Sequence, residues 1–461
     1  MKKGICMQSA KVLLAASLFF VVAYGQESKS TRFPVTPSGK QVEEYIKAFN
    51  SGEEEMREYF LNHAAKENLR KLPVDQKLQR YRQMHERLGA LELRKINESG
   101  NDTFSGLFHG SKGNLVNLEF EFEKSAPYGL LGVRVEDAGR DREGVPADHK
   151  KNNDDLVRAV EQYTKGLANN DRFSGVIFIA QHGKPVFERA YGYADREKKI
   201  PNRIDTRFNL GSVNKSFTHL AIDQLVAKGK ISLNDPIKKY LPDYPNKEAA
   251  EKVTVQQLLE MRSGIGDFFG DRYEAFPKER LRSLQAYLPL FTDKPLEFEP
   301  GTRERYSNGG FVVLGLIVEK ASGMDYYSYV RKNIFLPAGM THTDSFEKDS
   351  LPSDCAIGYT SEGSVWKSNH ETLPEKGSSA GGGYSTVHDL FNYTIALEKG
   401  TITGPGVEER RGMGIAGGAP GLNTALEWGQ KTGYVIVVMS NFDPPSAERV
   451  AQQIRAWLPT N

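Results

Sequence analysis

Ser212-Val213-Asn214-Lys215 and, about ninety residues on, Tyr306-Ser307-Asn308 are the two stretches that decide how this chain is read. The first opens an amphipathic helix whose turns are marked by Phe217, Leu220, Ala221, Gln224, Leu225 and Lys228, with Gly229 as its stop. A serine and a lysine three residues apart on a helix share one face, which brings the amine within reach of the hydroxyl. Serine is a weak nucleophile at neutral pH, and a neutral, partly buried lysine can take its proton. The second stretch adds a phenol and an amide, groups that relay protons and orient a carbonyl. Alone, Ser-x-x-Lys is a common helix start, because serine caps helices. Followed by Tyr-x-Asn at this distance, it points to acyl-serine chemistry.

The 461 residues are too many for one ordinary domain and suit two. With 39% hydrophobic and 26% charged residues the composition is that of a globular protein. Lys2, Lys3 and Lys11 precede an apolar run, Val12 to Val22, and then Ala23-Tyr24-Gly25 before Gln26. This is the pattern of a cleaved signal peptide over residues 1–25, and the run is short of the ~20 residues a spanning helix needs. A mature chain starting near Gln26, with no stable membrane anchor, is the expectation. Its export would be to a periplasm. Losing three lysines takes the formal charge from +2 to −1, which offers nothing to a nucleic acid. Cys355 would then be the one cysteine left, so the fold would rest on its core and not on disulfides. The nine histidines form no metal-spaced pair, and no metal or cofactor is expected.

Residues 34–138 read as a small α+β domain. Helices are expected over Val42–Phe49, Glu53–Ala65 and Gln76–Leu88, followed by strands at Leu91–Ile96, Leu115–Phe122 and Leu130–Val135. Helices followed by an antiparallel sheet resemble the cone-shaped nuclear transport factor 2-like or cystatin-like fold. Residues 139–153 are Gly, Pro and charge with hardly an apolar side chain, the composition of a linker. Beyond it come a helix, Leu156–Ala168, and a hairpin of Gly175–Gln181 and Pro185–Tyr193 turning at His182-Gly183-Lys184. Residues 253–345 read as mainly helical, and a terminal helix is expected over Ser446–Leu458.

Over residues 154–461 the chain resembles the class C β-lactamase-like serine hydrolases, which include D-aminopeptidases, carboxypeptidases and esterases. The resemblance rests on Phe208-Asn209-Leu210-Gly211-Ser212-Val213-Asn214-Lys215, on Val253-Thr254-Val255-Gln256-Gln257-Leu258-Leu259 leading to Ser263-Gly264, on Pro300-Gly301 leading to Tyr306-Ser307-Asn308, and on Ala380-Gly381-Gly382-Gly383-Tyr384-Ser385-Thr386 leading to Asp389-Leu390. It implies a β-lactamase/transpeptidase-like α+β domain, with a helical subdomain beside a five-stranded antiparallel sheet and the active site between them. It implies Ser212 as nucleophile, Lys215 and Tyr306 as proton-transfer groups with the first acceptor left open, and Asn308 as a substrate-contacting amide. Backbone N–H groups of Ser212 and Gly418 would form the oxyanion hole, and Gly417 and Gly418 would line the substrate. The substrate it implies is a small molecule or a peptide derived from the cell wall.

The family's third motif, Lys-Thr-Gly or His-x-Gly, has two candidates. Lys431-Thr432-Gly433 matches by letter, but only one strand could follow it, and it sits between two strand-like runs as a turn does. Ile415-Ala416-Gly417 is followed by two strands and the terminal helix, as the fold requires, and places Ile415 where a cation or imidazole belongs. The segment from Glu398 to Gly414 is also short for the family. An isoleucine there disfavours substrates with a carboxylate beside the scissile bond, so neutral esters or amides are expected over β-lactams. The same loss leaves open a second reading, a degenerate member that binds acyl or peptidoglycan-like ligands without turnover. His219 falls on another helix face and reads as structural. Gly381-Gly382-Gly383 reads as close backbone packing beside the site. Phe268, Phe269, Tyr273 and Phe276 read first as core, with an acyl pocket as the alternative.

Overall fold

The computed structural model describes residues 32–459 apart from 72, 112–113, 141–151, 363–364, 405–413 and 430–431. The stretch read as a signal peptide and most of the expected linker lie outside the described residues. The chain divides into two compact units, 1–145 and 146–461.

The first unit begins with helix α1, Pro37–Ser51, capped by Thr36, whose hydroxyl accepts from Gly39 N. Its buried side chains Val42, Tyr45, Ile46 and Phe49 are those of the expected helical stripe. Helices α2 (Glu53–His63), α3 (Lys66–Lys71) and α4 (Val74–Leu88) follow. Strands β1 (Leu91–Ser99), β2 (Thr103–Gly110), β3 (Asn114–Phe122) and β4 (Leu130–Arg140) pair in that order, all antiparallel. Phe49, Phe104, Phe108 and Phe120 fill the space between helices and sheet. The sequence reading missed β2. Its two glycines and central serine lower its β-propensity, and the alternation of Phe104, Gly106, Phe108 and Gly110 on the buried face is half glycine. The expected linker also loses both ends: β4 continues to Arg140, and the next helix begins at Asn153.

In the second unit, helix α5 (Asn153–Asn169) leads into the hairpin of β5 (Gly175–Gln181) and β6 (Lys184–Tyr191). Positive φ at His182 and Gly183 gives the two-residue turn that matches strand twist. Strands Ile415–Ala419, Leu422–Trp428 and Tyr434–Ser440 join the hairpin in one antiparallel sheet, with Ile415–Ala419 at one edge and β6 at the other. The central strands are buried on both faces, which explains their unbroken apolar runs. Ile177, Ile179, Ile436 and Val438 meet Val160 of α5 and Val450 and Ile454 of the terminal helix, Ser446–Trp457. On the opposite face, Val176, Phe178, Val437 and Met439 belong to a larger core with Phe217, Leu220 and the helix Asn308–Ser322. The fold is α+β, with helices against an antiparallel five-stranded sheet.

The two third-motif candidates separate cleanly. The edge strand Ile415–Ala419 is followed by two strands and the terminal helix, as the topological argument requires. Thr432 and Gly433 connect Leu422–Trp428 to Tyr434–Ser440, at the end of those strands away from Gly418 and Asn423, while Lys431 lies outside the described residues.

Asn423 ties this edge to the rest of the domain. It is fully buried; its amide donates to the Gly417 carbonyl at 3.0 Å, and its oxygen accepts from Ala447 N at 2.6 Å and Glu448 N at 3.2 Å. One side chain therefore holds the edge strand and satisfies the start of the terminal helix. Asn423→Leu leaves those groups unpaired in the interior and is expected to destabilise the domain by about 1–3 kcal/mol. Asn423→Asp, which keeps the acceptor, should fall between the two. Urea unfolding of the three proteins measures the order; equal midpoints would contradict it.

Candidate active site

Gly211–Val213 form a 3₁₀ turn that runs directly into helix α6, Asn214–Ala227. Ser212 therefore stands two residues ahead of the α-helix expected to begin with it, and Lys215 lies in the first turn. The chain reaches this position because Gly211 adopts a φ of +49°, open to glycine at little cost. The edge strand then passes close by. A Cβ on Gly417 would lie 2.2 Å from the Leu210 carbonyl oxygen and 2.6 Å from Ser212 N, so only glycine fits. Gly417 is buried and serves this approach, whereas Gly418 faces the cavity. Gly417 is thus a packing residue and not the substrate contact expected of it.

Tyr306 and Asn308 arrive from another element. Ser307 caps the helix Asn308–Ser322, its hydroxyl accepting from Gly310 N at 2.8 Å and donating to the Gly266 carbonyl at 3.1 Å. That cap fixes Tyr306 just before the helix and Asn308 at its first position.

These elements bring four side chains together. Lys215 Nζ lies 3.1 Å from Ser212 Oγ, and Tyr306 Oη hydrogen-bonds the same Oγ. Lys215 Nζ also donates to Asn308 Oδ1 at 2.7 Å and to the Ala380 carbonyl at 2.6 Å. Lys215 is 6% exposed. Burial pulls its amine down to about 7, with the Asp267 carboxylate opposing part of that shift. The ring of Tyr306 is 48% exposed, yet its hydroxyl end lies against Ser212. Loss of solvent there pushes the phenol up to about 12; the Ser212 hydrogen bond opposes the rise and Asp267 adds to it.

A neutral amine has two N–H bonds and one lone pair. Asn308 Oδ1 and the Ala380 carbonyl can only accept, so they engage both N–H bonds and leave the lone pair for the Ser212 hydroxyl. The protonated Tyr306 can then donate to Ser212 Oγ. Asn308 lines the cavity, but both ends of its amide are occupied: its Nδ2 donates to Asp267 Oδ2 at 2.7 Å.

Asp267 is the residue the sequence reading missed. It lies 41 residues from Asn308, carries no motif spacing, and is anchored by Phe269 N donating to its Oδ1 at 3.0 Å. The Ala380 carbonyl was equally invisible, since backbone groups leave no residue type to read. Gly381 and Gly383 pack on Gly211 and Asn214, in line with the close-packing reading of that run. His219 packs its ring on Phe311, 5.3 Å between centroids.

Ser212, Tyr306, Asn308 and Gly418 share a cavity of about 420 Å³. Phe268, Phe269 and Tyr273 form part of its wall; Phe268 and Tyr273 belong to the main core as well, so both readings hold for them, while Phe269 is a wall residue alone and Phe276 packs against the core. The edge strand contributes Gly418 and Ala419 to the wall, while Ile415 is half-buried against the main core. Among the described residues, nothing groups three His, Cys, Asp or Glu side chains in a way that could hold a metal ion.

The family model described as Beta-lactamase matches residues 156–458. Putative penicillin-binding protein PbpX of Bacillus subtilis (strain 168) is 29% identical over 310 residues, 62% of this chain and 74% of that protein. Penicillin-binding protein 4* of the same strain is 32% identical over 214 residues, which is 46% of each chain, so less than half of that relative is spanned. Among solved structures, a penicillin-binding protein from Bacillus halodurans has a TM-score of 0.58 at 30% identity, covering 63% of this chain and 99% of its own. D-amino acid amidase from Ochrobactrum anthropi SV3 has a TM-score of 0.56 at 24% identity, covering 65% and 99%, a likeness of fold. The model match spans well over half of the chain and takes in every catalytic motif quoted from it: this chain belongs to the Beta-lactamase family of serine hydrolases.

Proposed function

We propose that the protein is an exported serine hydrolase that cleaves neutral esters or amides through an acyl-Ser212 intermediate. The observation that carries this reading is Lys215 Nζ held 3.1 Å from Ser212 Oγ in a buried site that lowers its amine to about 7, so that its neutral form can take the serine proton. Lys215 takes the Ser212 proton as Oγ bonds to the substrate carbonyl carbon. The Ser212 and Gly418 N–H groups, beside the start of α6, receive the oxyanion. As the bond to the leaving group breaks, Tyr306 gives it a proton. The Lys215 ammonium, which hydrogen-bonds the same Ser212 Oγ as Tyr306, restores that proton. Water then attacks the acyl carbon, its proton passing to the same pair, and Ser212 regains its hydrogen as the acid departs.

The substrate preference rests on the charge of the cavity. Among the charged residues described on its wall, Glu274 and Lys348 offset each other and Glu375 is fully buried with Arg282 3.6 Å away, so the cavity carries no surplus cation. β-Lactams and C-terminal peptides bring a carboxylate next to the scissile bond, for which the cavity holds no surplus cation; Ile415, packed against the core and outside the wall, supplies no partner. Hydrolysis of a short p-nitrophenyl ester is expected to exceed that of a chromogenic cephalosporin in kcat/KM, and both should vanish in Ser212→Ala. Efficient cephalosporin turnover by the wild type would sink the preference. Fluorophosphonate labelling of Ser212 with no ester turnover would instead favour the non-hydrolysing binder.

The pH dependence follows from the two shifted groups. Activity requires neutral Lys215, so kcat/KM should fall about tenfold per unit below pH 7 and level off above it, with Tyr306 still protonated until about 12. Lys215→Ala should lower kcat by about 100- to 10,000-fold and erase this limb. A wild-type limb near pH 10 would mean the amine is not lowered by its site, and a limb that survives in Lys215→Ala would mean the amine is not the base.

Asp267 offers a separate test. Its carboxylate favours the ammonium form of Lys215, so Asp267→Asn removes that support. The acid limb is expected to move to lower pH while the thermal midpoint changes little. A limb moving upward, or not at all, would contradict the electrostatic role.

A further inference from the structure

We propose that the cavity beside Ser212 selects a bulky, uncharged aromatic acyl group, gripped by Phe268, Phe269 and Tyr273. The inference rests on the acyl-serine reading and names the substrate class of that site. Its basis is the shape and chemistry of the wall. Phe268 and Phe269 lie 4.5 Å apart between ring centroids, Phe269 and Tyr273 4.8 Å, and Phe268 and Tyr287 5.0 Å, so four rings form one continuous aromatic surface. Phe268, Tyr273 and Tyr287 are at most 5% exposed, whereas Phe269 is 49% exposed. A half-exposed phenylalanine at a cavity that already holds a nucleophile is poised to cover an apolar ligand. Leu351, Leu373 and Phe346 continue the apolar lining.

The volume points the same way. A cavity of roughly 150 Å³ suffices for benzene, and this one is about 420 Å³, far larger than an acetyl group fills. The acyl side is assigned by the proton path. The leaving group must stand beside Tyr306, whose ring is half exposed and opens toward solvent. The oxyanion must face Ser212 and Gly418. The remaining substituent of the carbonyl carbon is the acyl chain, and the buried rings are the surface left for it. Asp267 links this surface to the catalytic groups, because the backbone of Phe269 holds its carboxylate while Asn308 holds the other oxygen.

The test varies the two halves of the ester independently in the full chain. With p-nitrophenol as constant leaving group, kcat/KM for the 3-phenylpropanoyl ester is expected to exceed that for the acetyl ester by about 10- to 100-fold. Phe269→Ala, chosen because the side chain is half exposed, should pull that ratio toward one, with the thermal midpoint reporting that the fold is kept. A wild-type ratio near one, or a ratio untouched in Phe269→Ala, would overturn the assignment. So would a preference that follows an aromatic leaving group at constant acetyl. Failure to hydrolyse any ester together with no acyl adduct on Ser212 would overturn the acyl-serine reading underneath it.

Discussion

Burying one lysine amine organises this domain. An ammonium 6% exposed is costly unless it is neutralised or surrounded by acceptors, and Lys215 is given both remedies. Its two acceptors come from distant parts of the chain, the start of the helix Asn308–Ser322 and the turn at Ala380. That turn is itself built to aim a carbonyl. Ser378 and Gly381 exchange backbone hydrogen bonds across it, Ser379 Oγ donates to the Phe311 carbonyl at 2.8 Å, and Thr218 donates to the Ser379 carbonyl at 2.7 Å. Helix α6, the helix Asn308–Ser322 and the turn are thus tied to one another around the amine.

The second constraint is approach distance. An oxyanion site needs two backbone N–H groups from different elements to converge, and side chains stand in the way. Gly417 against Leu210 and Ser212, and Gly381 against Gly211, remove those side chains where the strands and turn close on the nucleophile. Asn423 then holds the edge strand in place through the Gly417 carbonyl. The geometry proposed for catalysis is therefore a by-product of close packing that the glycine-rich stretches permit.

What was legible in the sequence follows from this division. Ser212 and Lys215 could be read because side-chain chemistry at helical spacing leaves a pattern, and Tyr306 and Asn308 because the second motif follows at the right distance; the five-stranded sheet came with the family resemblance, with only its central strands showing as apolar runs. The rank of Ile415 over Lys431 was legible because topology counts strands, which residue letters do not. The rest was hidden for physical reasons. Asp267 meets Asn308 only through the tertiary fold, and Ala380 contributes a carbonyl that any residue carries. The Phe268–Tyr273 wall looks like core in a sequence because rings lining a cavity and rings filling one obey the same hydrophobic pattern. The glycines and serine of Thr103–Gly110 masked a strand whose buried face needs no large side chain.

The lysine proposed as the base also burdens the fold, and the sign of the effect is fixed by its shift. Lys215 titrates near 10.5 in an open chain and near 7 in the folded one. Between those values the unfolded chain holds a proton that the folded chain has released, so stability rises with pH across that window. The penalty is greatest below pH 7, where the folded protein must bury the charge, and vanishes above 10.5. Working near neutrality therefore means working where part of the penalty persists. The apolar sheet faces and the helix Asn308–Ser322, buried along nearly its whole length, offset it. A large core on both sides of the sheet is what lets this domain keep an amine poised between its two protonation states.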